Sequence, residues 1–355
     1  MKIVRSILFV INIVLAMALL ATTVAGTMAP SRLLIPSLLA YGYIPLLLAN
    51  VLFVVMWLIM GKLKFLLSVG AIALRWSMVG LFFQVGGESK TPDRAEHPDM
   101  VTVMSYNVRL FFGPDGDVSE ADSNAVKFLR LVREQQPDVL CLQEFAAVKN
   151  IHTVDSLVLM GYNHYHGTNT AAGGIPYGTV VFSRLPITYV SCIGDRKMLV
   201  ELMHDKHTFR ICNVHMDSYR FDNSDFEELE RISHGEVQVT EGHTMEKIRE
   251  TILSHEIEWN RTVKPVVQEC SLPLLLVGDF NDIPNSWLYK QVDGLLGDTY
   301  CDKGSGFCST YNSRYLKMRI DWIFHSSQFH TLSFRRIRND MSDHYPIISS
   351  LEFTE

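Results

Sequence analysis

The chain has 355 residues, 48 % of them hydrophobic, and a formal net charge of −6. Residues 1–85 hold Lys2, Arg5, Arg32, Lys62, Lys64 and Arg75 but no Asp or Glu, while the other 26 of the 32 basic residues face all 38 acidic ones, a net of −12. This asymmetry excludes a single soluble globule of uniform composition, and the six cysteines lack the spacing of a structural zinc site. In chain order, residues 7–25, 33–60 and 65–85 are apolar stretches near the roughly 20 residues that cross a bilayer. They predict three transmembrane helices, with a tilt or kink in the second at Pro36 or Pro45 and with Arg75 either snorkelling or facing another helix. The basic residues at Lys2, Arg5, Lys62 and Lys64 put those ends in the cytoplasm and everything after residue 86 outside. A cleaved signal peptide over residues 1–25 is the alternative, and it leaves the same sidedness.

The division expected is a membrane region (1–86), a linker (87–98) and a second domain (99–355). In that domain a strand is expected over 100–108, a helix over 122–138 and a strand over 138–144. Further strands are expected over 178–183, 198–204, 208–215, 273–278, 319–325 and 345–353, and outer helices over 223–233 and 244–262, the second broken or kinked at Pro265. There is no internal repeat. Strands with interspersed helices predict an α+β domain with sheets at its centre. Cys141 and Cys212 lie in apolar runs and read as core, whereas Cys301 and Cys308 flank a loop short enough for a disulfide in an oxidising compartment.

Apolar runs end in Asn107, Glu144, His215 and Asp279; Asp321 lies inside one, and Asp343 and His344 precede another. If those strand ends share a rim, they form an oxygen-rich cluster with two imidazoles. That donor set suits Mg²⁺ or Mn²⁺ rather than structural zinc. Metal, oriented water and imidazole are the equipment for cutting a phosphate ester. Asp282 reads as part of a turn, and Asp321 has an alternative reading as an ion-pair partner of Arg319.

The stretches "SYNVR" (105–109), "PDVLCLQE" (137–144), "YGTVVFSRLPI" (177–187), "NVHMDS" (213–218), "GDFND" (278–282), "RIDWIF" (319–324) and "SDHYPI" (342–347) occur in that order. Together they resemble the motif series of the endonuclease/exonuclease/phosphatase superfamily, the DNase I-like fold. The apolar N-terminus resembles that of membrane-anchored bacterial members. The resemblance implies a four-layer α/β/β/α sandwich of two packed β-sheets, preceded by transmembrane helices, with the site at one rim. It implies a metal site of Glu144, Asn107 and Asp343. It assigns catalysis to Asp279 on the attacking water, to Asn281 and His215 at the phosphoryl group, and to His344 oriented by Asp321. Asn107, Asn281, His215 and Arg109 would contact the substrate.

The expected function is therefore a Mg²⁺- or Mn²⁺-dependent phosphoesterase, most readily a phosphodiesterase. It would sit in a bacterial inner membrane with its catalytic domain on the extracytoplasmic side. A catalytically degenerate binding module is the alternative. Nucleic acid, nucleotide and lipid head group all remain open as substrates, although a net of −12 argues against a long nucleic acid. No protein partner is evident.

Overall fold

The computed structural model describes residues 2–87, 90–170, 174–221, 225, 243–312 and 317–354. The helix expected over 223–233 lies outside the described residues except at Asp225. The chain forms two compact units. The first joins residues 1–82 with 219–256 and 282–291, and the second holds 83–218, 257–281 and 292–355.

The first unit opens with α1 (Lys2–Ala25), which is long and apolar enough to cross a membrane. At 1.5 Å per residue it reaches about 36 Å. Next come α2 (Leu34–Tyr41) and α3 (Tyr43–Ile59), bent by 68°. The bend falls at Gly42 rather than at either proline: Pro36 and Pro45 sit in the first turns of their helices, where a missing N–H costs nothing. The third apolar stretch is not one helix. It divides at the non-helical, buried Arg75 into α4 (Phe65–Leu74) and α5 (Trp76–Val79). Arg75 lies over the Tyr43 ring, and the Tyr43 hydroxyl donates to its carbonyl oxygen at 3.2 Å.

Polarity in these helices is inverted. Asn12 donates to Ser68 (2.6 Å), Ser68 to Asn50 (3.0 Å) and Trp57 to Asn12 (2.9 Å), all buried. Meanwhile Val10, Val14, Met17, Leu52, Val55 and Leu66 are exposed. Two later segments belong to the same unit. Ser31 donates its amide and hydroxyl to Glu256, each at 2.8 Å, and Asn285 donates to the Ala40 carbonyl at 2.9 Å. Asp282 is buried and accepts from the Tyr41 hydroxyl at 2.7 Å, while Tyr41 and Tyr219 share a short hydroxyl contact.

The second unit contains β1 (Phe83–Gln84), β2 (Met100–Asn107), α6 (Ala121–Gln135), β3 (Val139–Phe145), α7 (Thr153–Leu159), β4 (His164–Thr170), β5 (Pro176–Ser183), β6 (Ile187–Gly194), β7 (Lys197–His204), β8 (His207–His215), β9 (Leu274–Asp279), β10 (Gly297–Asp298), β11 (Gly306–Phe307), β12 (Tyr311–Asn312), β13 (Lys317–Met318), β14 (Asp321–His325), β15 (Phe329–Arg336) and β16 (Ile347–Phe353). Two six-stranded sheets form, with orders β10-β14-β9-β8-β7-β6 and β15-β16-β2-β3-β5-β4. Their facing sides interlock through Val101, Val103, Val139 and Val181 of one and Val200, Ile211, Leu275, Val277 and Ile323 of the other. The outer side of the second sheet is covered by Phe128 and Val132 of α6 against Met104, Tyr106, Leu140 and Leu142. With both faces covered, β2 is buried at every position, so its alternation is of direction rather than polarity. This is the two-sheet, helix-flanked DNase I-like architecture.

Among the longer strands of the second unit, β4, β6 and β15 have no counterpart among the expected elements, and neither do the two-residue strands β1, β10, β11, β12 and β13. Arg94 pairs with Asp138 at 2.6 Å and His97 with Glu352 at 3.0 Å, which fastens the segment before β2 to this unit. The expected break at Pro265 takes the form of a π-turn, Trp259–Val263, before a helix Lys264–Glu269. No disulfide joins Cys301 and Cys308. All six cysteines are thiols, Cys308 being buried in the inter-sheet core while Cys301 faces Asp298 at 3.6 Å.

His325 is held between two acceptors, the Ser326 carbonyl at Nδ1 (2.9 Å) and Asp302 at Nε2 (2.8 Å). Only the doubly protonated ring satisfies both. Burial opposes the charge, but these bonds raise the His325 pKa above its ordinary value. Burial likewise disfavours the Asp302 carboxylate, yet the bonds from His325 and Thr331 hold its pKa low. The pair's contribution is thus complete between the ordinary aspartate and histidine values, roughly pH 4 to 6.5. It is lost on the alkaline side as pH rises through the raised His325 value. Thermal denaturation from pH 6 to 9 should show that falling limb, and His325→Gln should flatten it.

Candidate active site

The site is built on register. His215, Asp279 and Asp321 lie side by side at the ends of β8, β9 and β14, since His215 pairs with Asp279 and Asp279 with Asp321. On the facing sheet, Asn107 pairs with Gln143, which places Glu144 one residue further along β3. His344 lies three residues before β16, whose first residue pairs with Ser105 near the end of β2. Both parallel pairs, β2–β3 and β8–β9, therefore deliver their carboxyl ends to one rim.

Side chains close the gap between the sheets. The Asn107 amide donates to Asp279 Oδ2 at 3.0 Å and to Glu144 Oε1 at 3.2 Å. His344 Nδ1 lies 3.0 Å from Asp321 Oδ2, and its Nε2 lies 3.7 Å from Asp279. His215 Nε2 is 3.6 Å from Glu144 and 3.9 Å from Asp279, is buried, and makes no hydrogen bond. Asp321 and His344 are supported in turn: the Asp321 amide donates to the Thr310 hydroxyl at 3.0 Å, and the Tyr311 ring stands edge-on to the imidazole.

The remaining expected residues are differently engaged. Asn281 donates its side-chain amide to the Met216 carbonyl at 3.1 Å and its backbone amide to Asp279 at 2.9 Å. Arg109 Nη1 lies 3.2 Å from Asp343, and the Arg109 amide donates to Asn107 Oδ1 at 3.0 Å. Asp343 is thus held by Arg109 and is not among the groups gathered around Asp279. Arg319 pairs with Asp298 at 2.8 Å, so it is not the partner of Asp321.

Backbone strain concentrates here. Arg109, Leu110, Phe111, Glu144 and Asn281 all adopt positive φ without being glycine. Such conformations persist only where the surroundings over-determine them, and they cluster at functional sites. At Glu144 the strain coincides with an irregular register between Leu142 and Phe145, which turns the carboxylate to the rim. Gly278 has φ +141°, and a Cβ there would stand 1.9 Å from the Val214 carbonyl oxygen, so β8 and β9 can approach this closely only without a side chain.

Charge is divided unequally. Burial pushes Asp279 up to about 7, against the pull of His344. Burial also opposes a charge on His344, but Asp321 and Asp279 together raise it well above an ordinary histidine. Burial, with Arg196 and His344 nearby, pushes His215 down to about 3. The rim thus carries one imidazolium and one neutral imidazole.

Asp279, Asp321 and His344 offer ligand atoms all within 4.8 Å of one another. With Glu144 partly exposed at the rim and no thiol nearby, the donors are those of a hard divalent cation. The unpartnered Nε2 of His215 faces the same space. The carboxylates fit such a metal, whereas the protonated His344 has no lone pair to offer it.

Sequence reasoning missed the layer beneath. Gln143 donates to Asn213 at 2.8 Å across the sheets, and Asn213 donates to the Leu142 and Val180 carbonyls. All are buried, and they fasten β3 to β8 directly under Glu144 and His215. Gln143 and Asn213 stand in the stretches 137–144 and 213–218, as Ser342, which donates to the Asn107 carbonyl at 2.8 Å, stands in 342–347, but an amide in a motif does not by itself show that it faces inward. Truncating one member strands the other, so Gln143→Leu should cost about 1–3 kcal/mol in urea denaturation. Adding Asn213→Leu should cost less than the sum of the single changes.

A family model described as "Endonuclease/Exonuclease/phosphatase family" matches residues 104–230 and 251–344. A second, described as "Domain of unknown function (DUF8431)", matches residues 5–82. Among solved structures, the human Nocturnin catalytic domain with bound sulfate anion is 18% identical, covering 75% of this chain and 100% of that one, with a TM-score of 0.49. An endonuclease/exonuclease/phosphatase from Bacteroides vulgatus is 16% identical over 72% and 99%, with a TM-score of 0.49. A truncated TDP2 from Caenorhabditis elegans is 20% identical over 72% and 99%, with a TM-score of 0.48. No curated protein matches.

Proposed function

The chain belongs to the endonuclease/exonuclease/phosphatase family, and from that premise we propose that it is a membrane-anchored, divalent-metal-dependent phosphoesterase, acting as a phosphodiesterase. The observation that carries the reading is the single rim joining Asn107, Glu144, His215, Asp279, Asp321 and His344. Mg²⁺ or Mn²⁺ would be held by Glu144 with Asn107 beside it and would neutralise charge on the phosphoryl group.

The protein's own groups do the rest. Asp321 fixes the His344 ring through Nδ1, leaving Nε2 of the imidazolium to donate to a phosphoryl oxygen. Asp279, with a proton affinity near neutrality, orients the attacking water and accepts its proton. His215 stays neutral until an anion lies against its open Nε2, then donates to it. Asn281 donates its side-chain amide to the Met216 carbonyl and its backbone amide to Asp279, which keeps the turn after Asp279 in place. Arg109 and Asp343 brace each other, so the loop bearing His344 keeps its shape. A net of −12 over residues 86–355 favours a small or lipid-borne ester over a long nucleic acid.

Anchoring rests on the inverted polarity of the N-terminal helices. Exposed Val, Leu and Met around buried Asn and Ser suit hydrocarbon better than water. Lys2, Arg5, Lys62 and Lys64 mark the cytoplasmic side of a bacterial inner membrane, with the catalytic domain on the other.

The test uses full-length protein in detergent with a panel of nucleotides, oligonucleotides, phospholipids and inositol phosphates, in Mg²⁺, Mn²⁺ or EDTA. Turnover should require metal, and His344→Ala or Glu144→Ala should each lower kcat by at least about a hundredfold. Full activity in either variant, or turnover in EDTA, would overturn the reading. A C-terminal reporter active only outside the cytoplasm should give signal in cells, and one active only inside should be silent.

A further inference from the structure

A cavity of about 480 Å³ lies at the end of β15, lined by Gln135, Ser305, Phe307, Cys308, Phe334, Ile337 and three arginines, Arg335, Arg336 and Arg338. Among the described residues, no carboxylate lines it. Several other arginines of this unit are matched to acids, among them Arg319 to Asp298 at 2.8 Å and Arg210 to Glu201 at 3.0 Å. Among the described residues, no acid pairs with any of the three here. Arg336 donates to the Ser309 carbonyl at 2.8 Å, and Arg335 Nε is buried without a hydrogen-bond partner. Three like charges around one hollow, in a region of net −12, are mutually repelling unless an anion joins them. Guanidinium clusters bind phosphate well because their planar forks match its oxygens.

The volume exceeds what a lone phosphate needs and falls in the range of small-molecule sites. Phe307, Phe334 and Ile337 give it an apolar wall beside the cations. We propose that this cavity is a second anion site that binds a phosphorylated small molecule, its phosphate against Arg335, Arg336 and Arg338 and its body against Phe307. It is separate from the rim, because it shares none of the rim's residues. It is joined to the rim through the chain: β15 ends at Arg336, and the loop from there to β16 carries Asp343 and His344. The Ile337 amide closes that loop on the Pro346 carbonyl at 2.9 Å, and Arg336 lies over the ring of Tyr345, next to His344.

Binding of inorganic phosphate and of AMP to full-length protein in detergent is measured by calorimetry in EDTA, using a Glu144→Ala and His344→Ala background so that the rim keeps neither its metal ligand nor its imidazolium. AMP should bind more tightly than phosphate. The double change Arg335→Ala with Arg338→Ala should weaken both by roughly tenfold or more. Arg335→Lys with Arg338→Lys, which retains the charge, should lose less, and it guards against a misfolded alanine variant. Affinity unchanged in the alanine variant, or absence of binding to the parent, overturns the site. AMP binding no tighter than phosphate overturns the role of the apolar wall. Because the readout is equilibrium binding without metal, failure here leaves the phosphoesterase reading standing, and loss of turnover leaves this site standing.

Discussion

Asp279 is a carboxylate with no exposed surface, and the rim is the set of groups that make its burial tolerable. It accepts from the Asn107 amide and the Asn281 backbone and faces the His344 imidazolium, which Asp321 holds. A bare carboxylate in a protein interior protonates or finds partners. Each partner here arrives on a different strand or loop, so the two sheets must meet in one register for the acid to be accommodated at all. The same contacts that stabilise the fold at this end set the distances available for chemistry. One constraint therefore explains why the strained backbone at Glu144 and Asn281 and the side-chain-free approach at Gly278 are found together.

The neutral His215 and the cationic His344 show how environment divides two identical side chains. His344 faces two carboxylates. His215 is buried near Arg196 and Lys197, and the carboxylates it approaches lie beyond hydrogen-bond distance. An anion entering the rim would change the balance for His215 far more than for His344.

Strand ends such as Asp279 and Glu144 were legible because a run of core residues terminating in an acid breaks the hydrophobic pattern at one point. The architecture followed from several such runs in order. Edge strands were not legible. "HYHGTNT" (164–170) carries little apolar signal because it lies at the sheet's edge and its side chains are largely solvated. β15 was hidden by its arginines, the same residues that give the cavity its charge. The buried amides Gln143 and Asn213 have the composition of surface residues, and only tertiary contacts reveal them. The Cys301–Cys308 pairing failed because loop length limits separation but says nothing about which way each thiol points. Asp282 read as part of a turn, and it does donate structure there by accepting from the Ile283 amide, but its partner Tyr41 is 241 positions away in the chain.

That last contact bears on modularity. The linear layout suggests a detachable N-terminal segment, with a cut anywhere between residues 87 and 98 shedding residues 99–355 as a free domain. The first compact unit is instead sewn from three stretches of chain. Ser31 is bonded to Glu256, Ala40 to Asn285, and Tyr41 to both Tyr219 and Asp282. A protease acting in the connecting segment would sever the backbone and leave the two fragments associated. A gene fusion that swapped the N-terminal helices for others would strip Asp282 of the Tyr41 hydroxyl that donates to it. Residues 1–82 are separable as sequence, but as folded matter they share one unit with residues 219–256 and 282–291.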